Sequence, residues 1–101
     1  MSTERIVVDE RIADEFVAKF AARARELPTG DPGAGAACVI GPMIVSESGD
    51  RLNRMIDDAW AKGAKIAAGG RANGAVMPAT IVDHVARDMQ IYDEETFGPI
   101  T

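Results

Sequence analysis

Glu94-Glu95, set directly before Thr96-Phe97-Gly98-Pro99, is the pattern in this chain best suited to chemistry. An ionised carboxylate is an acceptor-only group with two oxygens, which suits it to the paired hydroxyls of a ribose. A neighbouring aromatic edge can border a flat heterocycle, and a glycine permits close backbone approach. Spacing alone leaves two readings of Glu95 and Phe97 open, a ligand contact or a solvated turn.

Other reactive residue types are sparse. Cys38 lies in an Ala/Val/Ile-rich segment with no neighbouring base or cation in sequence to lower its pKa. His84 is the single histidine, so a Cys-His pair would have to form across the fold. The expected roles are an inert cysteine and a surface turn histidine in "VDHV". One His, one Cys and scattered carboxylates do not give the ligand spacing of a zinc site, so no metal is expected. The pairs Asp57-Asp58 and Asp14-Glu15 fall on helical stretches whose solvated faces account for them. Glycines in "TGDPGAGAACVIGPMI" lack both G-x-G-x-x-G and G-x-x-x-x-G-K-[ST] spacing, so an ordinary connecting loop is expected there.

These residues must be positioned by a few readable elements. Ile6-Val7-Val8 is a β-branched run suited to a buried strand. Asp9 can cap the helix that follows. Ile12, Phe16 and Phe20, widened by Ala13, Val17, Ala21 and Ala24, form an apolar stripe running to about Leu27, before Pro28 and Gly30 stop it. A second helix, capped by Ser46 or Ser48, carries Leu52, Met55, Ile56, Ala59 and Trp60 on one core-facing stripe. Gly63 supplies its left-handed stop. "AKIAAGG" and "AVMPATIVDHV" read as strands, with Pro78 confined to the start or an edge of the second. Strands with helical crossovers imply an α/β fold with parallel pairing, without repeat or internal boundary over residues 1–101. After Pro99 the chain reads as the beginning of a further strand.

Composition narrows the partners. A chain of 101 residues suits one small domain, and its alanine-rich apolar content implies a thin core and marginal stability alone. A formal charge of −5 with no basic cluster argues against nucleic acid. "AACVIGPMIV" is too short to span a bilayer, and charges throughout the first twenty residues do not suit a signal peptide. A cytoplasmic location is the expectation, with no membrane partner.

Taken together, the segments resemble the NAD(P)-dependent aldehyde dehydrogenase superfamily. "EETFGPI" is similar to that family's cofactor-side motif: two acidic residues, a variable position, Phe-Gly-Pro and an apolar residue. "IGPMI" with the helix over 52–60, "AKGAKIAAGG" and "VMPATIVDHV" match later catalytic-domain segments in order and spacing. "MSTERIVVDERIADEFV" looks like the stretch directly after the family's catalytic cysteine. The resemblance implies a partial three-layer catalytic-domain fold with parallel strands and two main amphipathic helices. It places the nicotinamide ribose on Glu95 and the nicotinamide end of NAD or NADP on Phe97.

In the family, a thiolate attacks the aldehyde, hydride passes to the nicotinamide, and water hydrolyses the thioester to the carboxylic acid. The positions of the nucleophile, the general base and the cofactor domain all fall before Met1. No catalytic residue is therefore expected within the chain, which alone should be inactive and bind cofactor weakly or not at all. The wording of "MSTERIVV" and "MPATIVDHV" is similar to branches acting on aromatic aldehydes such as salicylaldehyde or vanillin. The resemblance also implies a homo-oligomer or self-association. An alternative is a non-catalytic α/β module that binds a partner, or itself, through an open sheet.

Overall fold

The computed structural model describes residues 3–101. Its first helix, α1 (Glu10–Arg25), starts where Asp9 accepts the Arg11 backbone N–H at 2.9 Å. The Arg11 side chain returns to the same carboxylate, 3.0 Å from Nε and 2.8 Å from Nη2. That guanidinium holds the Asp9 carboxyl below its ordinary range. The helix closes at Glu26, so the expected extension to Leu27 overshoots, and Leu27 is exposed. Of the predicted stripe, Ala21 and Ala24 are buried and Phe16 and Phe20 half-buried, but Ile12 stands in solvent.

Residues 26–45 form the expected loop, interrupted by one 3-10 turn at Pro32–Ala34. The second helix, α2 (Ser46–Ala61), buries Leu52, Met55, Ile56 and Ala59. Two details differ from the sequence reading. Neither serine caps α2: Val45 holds the cap position without a side-chain bond, because Ser46 already lies inside the first turn. Trp60 is 64 % exposed rather than in the core. Eight helical steps from Leu52 leave it about 80° around the axis, at the margin of the stripe. Gly63 takes φ 100 and ends the helix as expected.

The strands β1 (Lys65–Ala68) and β2 (Ile81–Asp83) pair antiparallel, with a bulge between Ile66 and Ala68. This corrects the expectation of parallel pairing between them. The connection from β1 to β2 contains no helix, and parallel neighbours need a crossover long enough to reverse the chain. Parallel pairing does occur on the other side of β2. The short helix α3 (Gln90–Asp93) lies in that connection, and Thr80 and Ile100 form a parallel bridge. Pro99 O accepts from Thr80 N at 2.8 Å, Thr80 O from Thr101 N at 3.0 Å, and Thr101 O from Val82 N at 2.9 Å. Residues 99–101 therefore run as the strand their sequence suggests.

Adjacent strand residues face opposite sides. Val82 and Ile100 pack with Leu52, Met55, Ile56, Ala59, Met77 and Met89, whereas Ile81 and Ala68 pack with Ala21 and Ala24 of α1. Ile6-Val7-Val8 forms no strand, contrary to expectation: no described backbone pairs with it, and Val7 is 89 % exposed. Side chains of its neighbours dock this extended segment instead.

Candidate functional site

The closing segment leaves α3 at Glu94, whose backbone is already extended. Thr96 turns inward and is buried, Phe97 adopts φ 51, and Gly98 lies against α2. A Cβ at Gly98 would stand 2.4 Å from Leu52 Cδ1, so the chain crosses the helix at glycine distance. Ile100, fully buried beyond it, anchors the turn to the main core.

Two opposite charges grip the backbone at 95–97. Arg51, on α2, donates from Nη1 to Glu95 O at 3.1 Å and from Nη2 to Thr96 O. Glu4 accepts from Thr96 N at 3.4 Å and from Phe97 N at 3.2 Å, one bond on each carboxylate oxygen. Cation on carbonyls and anion on amides is the favourable sense for both. Thr96 Oγ1 is buried with no hydrogen-bond partner among the described residues.

The result is a backbone held from inside with two side chains directed outward. Glu95 is exposed, and among the described residues its carboxylate has no hydrogen bond or ion pair. Phe97 is 69 % exposed. An unpaired carboxylate and a solvent-facing ring on one turn have the chemistry to meet a ribose diol and a flat heterocycle, so these residues fit the nicotinamide end of NAD or NADP. Neither residue lines either of two cavities among the described residues. One, about 400 Å³, lies among Phe16, Val17, Phe20, Ile81 and Tyr92. The other, about 370 Å³, lies between Leu27, Ile40 and Pro99.

The remaining reactive residues are engaged elsewhere. Cys38 is half-buried and donates its thiol to Gly30 O at 3.4 Å. His84 is exposed at φ 60 and sets Nδ1 2.9 Å from Asp83 Oδ2. Asp57 pairs with Arg71, and Asp58 with Lys62 at 2.7 Å. Among the described residues, no group of three His, Cys, Asp or Glu side chains is placed to hold a metal ion. No described helix is long and apolar enough to cross a membrane. Sequence reasoning singled out Glu95 and Phe97 but did not anticipate that Glu4 and Arg51 hold the backbone between them. Nothing local marks either residue, since they lie 92 and 44 positions from the backbone atoms they hold.

Mixed helix and sheet, with the Phe-Gly-Pro turn clamped against α2, make this a small α/β unit. The chain belongs to the aldehyde dehydrogenase family, whose model matches residues 1–101. A crystal structure of a salicylaldehyde dehydrogenase from Pseudomonas putida G7 complexed with salicylaldehyde is 62 % identical with a TM-score of 0.92. It covers 99 % of this chain and 21 % of that one. The vanillin dehydrogenase of Pseudomonas fluorescens is 44 % identical over 99 % of this chain and 20 % of its own length. A betaine aldehyde dehydrogenase double mutant from Staphylococcus aureus, solved in complex with NAD+, is 30 % identical with a TM-score of 0.84, covering 97 % of this chain and 21 % of that one. The chain spans about one fifth of the length of the curated relatives it matches. The family resemblance drawn from "EETFGPI" and the other segments together is thus borne out, and the relatives include salicylaldehyde and vanillin dehydrogenases.

Proposed function

We propose that this chain is part of the catalytic domain of an NAD(P)-dependent aldehyde dehydrogenase that oxidises an aromatic aldehyde to the carboxylic acid. The observation that carries the proposal is the turn at 95–97, where an unpaired carboxylate and an exposed ring sit on a backbone fixed by Arg51 and Glu4. Glu95 accepts hydrogen bonds from the nicotinamide-ribose hydroxyls, and Phe97 covers one side of the nicotinamide and keeps water from it. The nicotinamide, when bound, supplies the hydride acceptor. The aromatic substrate class is supported by similarity to the salicylaldehyde and vanillin enzymes. The parallel pairing at 99–101, with apolar clusters on both sheet faces, supports a partial three-layer fold. The protein works in the cytoplasm as a homo-oligomer.

The 101-residue chain is inactive alone, because its one thiol is bonded to a loop carbonyl and, among the described residues, no base is bonded to it. Incubation with NAD+ and salicylaldehyde should therefore yield no NADH, and turnover surviving purification would refute this. Titrating isotope-labelled chain with NAD+ while following amide NMR signals tests the site. Residues 95–98 should respond, and Glu95→Gln should weaken the response several-fold. A wild-type response confined to other residues would remove the assignment.

A further inference from the structure

Three consecutive residues at the start of the described chain each hold the closing segment. Thr3 O accepts from Thr101 Oγ1 at 2.8 Å, and Glu4 spans the Thr96 and Phe97 amides. Arg5 donates to Tyr92 O and lies 4.3 Å from the Tyr92 ring centroid. The middle contact differs from its neighbours in what it holds. Thr3 and Arg5 secure the flanks, whereas Glu4 bonds the amides on either side of Thr96, just where the chain enters left-handed φ at Phe97. A phenylalanine there relaxes toward negative φ unless surrounding contacts over-determine its conformation.

We propose that Glu4 is a positioning residue for the turn at 95–97, its carboxylate fixing the Thr96 and Phe97 amides so that the Phe97 ring is presented to the ligand side. The inference rests on the reading of Glu95 and Phe97 as cofactor contacts, but its structural half stands apart from it. Glu4 touches no ligand in this arrangement. It acts through Phe97, with both carboxylate oxygens committed to the backbone. Arg51 cannot replace it, because a guanidinium has no acceptor for an amide proton.

The test compares the wild-type chain with Glu4→Gln and Glu4→Ala by amide hydrogen exchange and by titration with NAD+, using the Ile56 amide in α2 as an internal control. A charged acceptor removed from two amides should speed exchange at Thr96 and Phe97 by about tenfold or more in Glu4→Ala. Glu4→Gln, which keeps one acceptor oxygen, should fall between, and Ile56 should not change. The NAD+ concentration giving half of the Phe97 shift should rise several-fold in the same order. A purely structural role would move Ile56 together with the turn, and that outcome overturns the proposal, as do unchanged rates at Thr96 and Phe97. If the wild-type turn shows no NAD+ response while the exchange pattern holds, the positioning role stands and the cofactor reading falls. Should Glu4→Ala fail to fold, the scalar coupling from the Phe97 amide nitrogen to the Glu4 carboxyl carbon decides the matter in the wild-type chain. Its presence supports the contact, and its absence refutes it.

Discussion

A phenylalanine at φ 51 with 69 % of its surface exposed breaks two preferences at once, one of backbone and one of solvation. Left-handed φ costs a non-glycine residue about 1–2 kcal/mol, and an exposed ring contributes little burial in return. Stability within this chain does not favour phenylalanine at this position, and the proposed ligand contact would give the ring a role. Phe97→Gly should change stability by less than about 1 kcal/mol, since relief of the left-handed cost is offset by glycine's larger unfolded entropy. Urea denaturation measures this, and the same variant should lose its response to NAD+. A loss of several kcal/mol would show the ring to be structural. The turn that carries Glu95 and Phe97 was legible in the sequence because the acidic pair and Phe-Gly-Pro are contiguous. Glu4 was not, because its partners lie 92 and 93 residues away and nothing in "STER" announces them.

The helices were legible for a related reason: their signals recur every three or four residues. Asp9, the Leu52 stripe and Gly63 all act as read, whereas Trp60 falls at the stripe's edge, where periodicity decides least. Strands depend on partners that the local sequence does not specify. Ile6-Val7-Val8 has strand composition but no backbone beside it, and β1 and β2 pair antiparallel because no helix separates them. Packing of α2 under the closing turn gives two measurable consequences. Leu52→Ala should cost about 2–5 kcal/mol as a core truncation. Gly98→Ala should cost about 1–3 kcal/mol by pressing on Leu52 Cδ1, and a neutral result in urea denaturation would show that Leu52 yields freely. Asp58 joins α2 to α3, bonding Lys62 at 2.7 Å and accepting Gln90 N at 2.8 Å. The Lys62 bond first, then the Gln90 amide, hold its pKa below the ordinary carboxylate value. A depressed folded pKa gives stability that is present above the unfolded value and lost as pH falls through the folded one. Melting temperature should therefore drop on the acid side of the carboxylate range, and Asp58→Asn should flatten that decline.

At the scale of the whole molecule, one sheet carries two apolar clusters on opposite faces, with a mixed strand order that ends on residues 99–101. The cavity beside Phe16 and Tyr92, together with exposed Ile6 and Val7, leaves apolar surface that favours self-association. Sedimentation should show mass rising with concentration, and a monomer at every concentration would contradict that reading. The family was legible because five motifs agree in order along the chain. The mixed pairing of the sheet was not, since it depends on what lies between the strands. The Phe16 cavity shares Glu4 and Thr96 with the turn but not Glu95 or Phe97, so contacts to the Phe97 ring tell binding at one from binding at the other. Intermolecular NOEs between NAD+ and the labelled chain separate them most directly. Contacts from the nicotinamide and its ribose protons to the Phe97 ring are predicted; contacts to Phe16 and Tyr92, with none to Phe97, would contradict the cofactor role of the turn.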